Sequence, residues 1–121
     1  MTLKLWTSSQ AVSKKNKNWP VLDITARGKS DKTSGLGALF APDWSYVRAH
    51  QTGKITDEQY THLYHQDMLK SYHANTQAWL EVLNMQELIL VCFCRPDKFC
   101  HRHLLVQYLI KLGAIYQGEL I

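Results

Sequence analysis

The spacing of apolar and polar positions changes several times along the chain, and each change marks an element. Leu88-Ile89-Leu90-Val91-Cys92-Phe93 is apolar throughout and β-prone, as in a strand covered on both faces of an α/β sheet, so an interior strand is expected over 88–94. Arg95-Pro96-Asp97-Lys98-Phe99 breaks the run. Beyond it Leu104, Leu105, Tyr108, Leu109 and Leu112 recur at helical spacing, which predicts a helix over 101–112 closed by Gly113 in a left-handed position. Near the start, Lys4-Leu5-Trp6 begins a short strand that ends in the small hydroxyl residues Thr7, Ser8 and Ser9, and Trp19 to Thr25 forms a second strand. Asp23 lies inside that apolar strand and needs a backbone amide or an arginine as partner.

The connections read less regularly. Ser13 to Asn18 is polar and suits a solvated loop, and Ala26-Arg27-Gly28-Lys29-Ser30 suits a flexible basic one. Pro42 fits the first turn of a short helix ending near Gly53. Thr56 and Gln59 form a capping box and Ile55 and Tyr60 a hydrophobic staple, two independent signals for one helix start. Tyr60, Leu63, Tyr64, Met68 and Tyr72 give that helix its packing face, and Asn75 is where it either breaks or runs on through Trp79, Leu80 and Leu83. Ala114 to Leu120 reads as a last, edge strand. The order of elements predicts a small α/β three-layer sandwich with a mostly parallel central sheet and a ligand crevice beyond the strand carboxyl ends.

Composition narrows the class. A length of 121 residues suits a single domain over 1–121, and 45% apolar with 20% charged residues is ordinary for a soluble globular protein. No apolar run approaches the roughly 20 residues of a membrane span, and the N-terminal segment lacks a signal peptide's apolar core, so no membrane association and a cytoplasmic location are expected. Three cysteines within nine positions make a poor disulfide framework and suit a reducing compartment. Fourteen Lys and Arg against ten Asp and Glu give +4, which favours an anionic partner, although a basic solvated surface accounts for it equally.

The chemistry concentrates between the interior strand and the last helix, where Cys92, Cys94, Cys100, His101 and His103 lie together. Zinc is one reading of these residues. On a helix, however, His101 and His103 point about 200° apart and do not share a tetrahedron, so no metal is expected. Thiol chemistry at Cys100 is the second reading, because a cysteine at a helix start beside His101 and Arg102 gains thiolate character; Cys92 itself reads as a small buried hydrophobe. The third is anion binding by the loop and helix start, with Arg95, Arg102 and the amides around Cys100 as donors. Against it, Arg102 and His103 would simply lie on an exposed helix face and Arg95 in a solvated loop.

These residues resemble a known family. The apolar strand ending in Cys92-Phe93-Cys94, followed by Cys100-His101-Arg102 and Leu104-Leu105, is similar to the C-terminal signature of the domain of unknown function 488. Val21 to Arg27 looks like its second-strand motif, with Thr25 and Ala26 intervening after Ile24 between the acidic residue Asp23 and Arg27. Phe40-Ala41-Pro42, Gly53-Lys54-Ile55-Thr56, Tyr60 and Gly118-Glu119 resemble a subgroup found in bacteria and their phages. The resemblance implies a Rossmann-like fold and a shared pocket but no established reaction. The expected protein is thus a nucleotide- or phosphate-binding domain without a cofactor, acting on a nucleotide or nucleic-acid-derived substrate if it is an enzyme. Cys100 and His101 are the expected chemical pair, with Ser8, Asp23, Arg27, Cys94, Arg95 and Arg102 around a small anionic ligand. The competing classes are a non-enzymatic module that binds nucleic acid or protein, and a metal-bound structural module.

Overall fold

Among the described residues the sheet is built from four short parallel strands whose order in space differs from their order in the chain. A computed structural model describes residues 2–16, 18–26, 35–92 and 99–120. Along them run β1 (Lys4–Ser9), α1 (Gln10–Ser13), β2 (Val21–Asp23), α2 (Gly35–Ala38), α3 (Trp44–Gln51), α4 (Asp57–Ala74), α5 (Thr76–Leu83), β3 (Glu87–Cys92), α6 (His101–Lys111) and β4 (Ile115–Leu120). The sheet order is β2-β3-β1-β4, and every pairing is parallel. This is a Rossmann-like α/β sandwich. Among the described residues no helix is long and apolar enough to cross a membrane.

The apolar run lies where its composition requires. β3 is flanked by β2 and β1, and Leu88 to Cys92 are all buried. Paired residues of parallel strands point to the same face. Leu5 opposite Leu88 and Leu22 opposite Leu90 therefore share one face with Cys92, and this face meets Tyr64, Met68, Trp79, Leu105 and Leu109 in the core. Trp6, Ser8, Ile89, Val91 and Asp23 fall by the same register on the other face. β4 is the edge strand, with Ile115 half exposed.

Two glycines set the geometry near the strand ends. Gly37 in α2 lies so close to β2 that a Cβ would stand 1.9 Å from the Asp23 carbonyl oxygen, so no side chain fits. Gly118 has φ +124 and follows a register shift, since Leu5 pairs with Tyr116 but Trp6 pairs with Gly118. The extra residue is a β-bulge. It changes which face the following residues occupy, so Tyr116 and Glu119, three apart, both come onto the Thr7 side of the sheet.

The helix starts test the sequence reading in detail. α4 begins with the reciprocal Thr56–Gln59 box, and Tyr60, Tyr64 and Met68 of its stripe are buried while Leu63 is exposed. Asn75 ends α4, and α5 starts anew at Thr76. Pro42 requires a correction: Asp43 caps α3, accepting from the Ser45 amide, so the proline precedes the cap instead of occupying the first turn. The side-chain cap outcompetes the proline's preset φ because it satisfies an N–H that would otherwise lack a partner. The short helices α1 and α2 carry too few residues to show a period and are additions to the sequence reading.

Candidate functional site

Cys92 ends β3, and Cys100 opens α6 with an extended backbone and no side-chain capping bond. Both are buried, and their Sγ atoms stand 3.1 Å apart. The next two residues, about 100° apart around the helix, reach in different directions. His101 Nε2 lies 2.6 Å from the carbonyl oxygen of Ile24, just past β2. Arg102 instead turns towards β4 and is fully buried.

The contact with Ile24 fixes the imidazole. A carbonyl oxygen only accepts, so Nε2 carries the proton and Nδ1 of the neutral ring presents its lone pair, 3.5 Å from Cys100 Sγ. Burial lowers the His101 pKa, outweighing the opposing pull of Cys92, and so keeps that lone pair available near neutral pH. His103, one residue beyond Arg102, is also lowered, first by burial and then by the Arg102 charge.

Arg102 is held on two sides. Its Nε and Nη2 donate to the two carboxylate oxygens of Glu119, each at 3.2 Å, and Nη1 donates to Cys92 Sγ at 3.0 Å. Burial alone would lower its pKa. The negative partners around it, Cys92 foremost, more than offset this and raise it, so the guanidinium stays charged. Glu119 Oε1 also accepts from Thr7 Oγ1 at 2.6 Å. Having donated its one proton there, Thr7 accepts from the Tyr116 hydroxyl, also at 2.6 Å. A continuous relay thus runs from Tyr116 through Thr7, Glu119 and Arg102 to the paired sulfurs.

The expected residues separate into three groups. Cys100, His101 and Arg102 come together, and Cys92, buried in the core as expected, joins them through contacts with Arg102 and Cys100. Exposed-face placement of Arg102 is likewise overturned by its burial. Ser8 and Asp23 lie by register on the other face of the sheet from Cys92 and spend their polar atoms locally. Ser8 Oγ donates to the Leu120 carbonyl, while Asp23 Oδ1 accepts from the amide and hydroxyl of Thr25. Arg27, Cys94 and Arg95 lie outside the described residues.

Sequence reasoning missed Glu119, Thr7 and Tyr116. Two signals could have found Glu119: a glycine inside a strand often marks a bulge, and an arginine beside a core strand needs a carboxylate. Cys92 Sγ, Cys100 Sγ and a ring nitrogen of His101 also lie within 4.8 Å of one another, a donor set for a soft cation that leaves out His103. The His101 N–H held by a carbonyl suits such a ligand. The guanidinium 3.0 Å from Cys92 Sγ opposes it by like charge.

The family model of DUF488-N3a, described as the active DUF488-N3 subclade, matches residues 11–113. The match takes in Cys92 and the Cys100-His101-Arg102 turn, and stops short of Thr7 in β1 and Glu119 in β4. No curated protein and no solved structure matches the chain.

Proposed function

The chain belongs to the DUF488 family, and from that premise we propose that it is a small nucleotide- or phosphate-binding enzyme that acts on a nucleotide or nucleic-acid-derived substrate through the Cys100 thiol. The observation that carries this reading is the pairing of Cys100 Sγ with the lone pair of a His101 ring whose tautomer is fixed by Ile24. In this reading His101 Nδ1 takes the thiol proton as Cys100 attacks, and burial makes the neutral ring available as base. The first-turn N–H groups of α6 hold the anionic part of the ligand, a task for which the sequence also supplies Arg95. Arg102 is committed to Glu119 and Cys92, so its charge steadies negative charge on sulfur. The position fits: the group lies at the carboxyl end of β3, where ligands of open parallel sheets bind. A cytoplasmic, reducing compartment would keep these thiols free.

Alkylation under protection tests the reading. Iodoacetamide near neutral pH is expected to modify Cys100 faster than Cys92, and phosphate or a nucleotide to slow that reaction. A parallel thermal-shift series with nucleotides, inorganic phosphate and divalent metals should show stabilisation by the anions. If the thiols react equally, and no anion either protects Cys100 or raises the melting temperature, the Cys-His-Arg turn is a packing motif and the protein a non-enzymatic interaction module.

A further inference from the structure

A thiol nucleophile and its base account for Cys100 and His101, but not for a second sulfur in contact with the first. Cys92 and Cys100 are eight residues apart, with their Sγ atoms at 3.1 Å and both side chains buried. Their polar partners differ. Cys100 Sγ faces the His101 lone pair, which can take its proton, whereas Cys92 Sγ receives the Arg102 guanidinium, which can hold negative charge on it. One thiol that is deprotonated as it attacks, and one that waits as an ion-paired sulfur beside it, is the division of labour of an attacking and a resolving cysteine.

We infer that Cys92 and Cys100 form a reversible disulfide when Cys100 reacts with a peroxide, so the site is an oxidation-sensitive one that guards its own nucleophile. The inference rests on Cys100 being the reactive thiol of the proposed function. In the first step His101 Nδ1 takes the Cys100 proton, the thiolate attacks one oxygen of hydrogen peroxide, the O–O bond breaks, Cys100 becomes a sulfenic acid, and the departing hydroxide takes the proton back from His101 and leaves as water. In the second the Cys92 sulfur, its proton passed to the same ring, attacks the Cys100 sulfur, the S–O bond breaks, and the departing hydroxide takes that proton and leaves as the second water. Hydrogen peroxide is thereby reduced to two waters, and two thiols are oxidised to one disulfide. Burial of both sulfurs favours an oxidant close to water in size. Closing the bond requires the sulfurs to approach by only about 1 Å, from 3.1 Å to the roughly 2.05 Å of a disulfide. The disulfide consumes the nucleophile and keeps it from the irreversible sulfinic and sulfonic acids.

The experiment is peroxide titration of the full chain, purified without metal and reduced beforehand, followed by intact-mass measurement and linkage mapping. Chymotryptic cleavage after Phe93 separates Cys92 from Cys94, so the mapped partner of Cys100 is unambiguous. The expected result is loss of two hydrogens, a Cys92–Cys100 link, and full recovery of both thiols with dithiothreitol. In Cys92→Ser the link disappears and Cys100 accumulates added oxygen instead. The native chain decides the question even if that variant misfolds. Oxygen accumulating on Cys100 without a link, or a link to Cys94, overturns the inference, as does a stoichiometric metal ion that keeps both thiols from reacting. Iodoacetamide labelling of the reduced chain separates the two readings. If Cys100 is still the faster thiol when no Cys92–Cys100 link forms, only the disulfide is lost; if it is not, the proposed function falls with it.

Discussion

The starts of α4 and α6 solve the same problem in opposite ways. Both helices begin with N–H groups that lack intrahelical partners. α4 settles this within four residues, as Thr56 Oγ1 accepts from the Gln59 amide and the Gln59 side chain returns to the Thr56 amide, all on exposed residues. α6 opens with a cysteine that makes no capping bond and spends its next two side chains on distant partners, His101 on a carbonyl 77 residues away and Arg102 on a carboxylate 17 residues away. One start is built for the helix. The other spends its side chains at a distance, and its stability is borrowed from the segment just past β2 and from strand β4.

Substitutions can break this contrast. The largest effect is expected from Arg102→Ala, which leaves Glu119 with a carboxylate in a mostly buried place and without its bidentate partner. Urea unfolding should show a loss of about 3–5 kcal/mol. A loss comparable to that of an ordinary surface change would mean that α6 does not depend on β4. Gly118→Ala comes next. At φ +124 a side chain is strained, so the bulge should either distort or cost about 1–3 kcal/mol, and the Glu119 carboxylate should lose its register with Thr7. Crosspeaks between Thr7 and Glu119 side chains in NMR spectra would report whether that register survives.

The start of α6 should also respond to pH. The His101 pKa is lowered by burial in the fold, so as pH falls below about 6.5 the unfolded chain takes up a proton that the folded ring still refuses. The contribution is complete above pH 6.5 and is lost progressively below it, until the folded ring itself protonates. The slope from this residue should reach at most about 1.4 kcal/mol per pH unit. In His101→Gln, which keeps an N–H for the Ile24 carbonyl, that slope should shrink towards the His103 remainder, as chemical denaturation between pH 7 and 5 would show. An unchanged slope would mean that the ring is not buried neutral. The smallest effect belongs to the other helix: Thr56→Ala should cost about 1 kcal/mol and leave Cys100 alkylation unaltered. A change in Cys100 reactivity there would show that the two helix starts are coupled.

How much of this was legible follows from how far each interaction reaches along the chain. The interior position of β3, the run of α6 to its left-handed Gly113 and the Thr56–Gln59 box were all readable, because apolar periodicity and capping act over a few residues. That Cys100, His101 and Arg102 cluster was readable for the same reason, since they stand side by side in the chain. Cys92 was not, because a sulfur at the end of an apolar strand looks like packing until Arg102 folds back onto it. Residue type alone did not show that register sends Ser8 and Asp23 to the other face from Cys92.

The parallel α/β class and the place of the Cys100-His101-Arg102 turn follow from local sequence, since short-range periodicity, steric preference and capping need no distant partner. Long-range packing instead set which nitrogen of His101 carries its proton, which sulfur Arg102 touches, and the approach of Glu119 to Arg102 through a bulge at Gly118. Those choices depend on sheet order and register. These join segments far apart in the chain, and a single slipped residue would turn the same carboxylate to the opposite face.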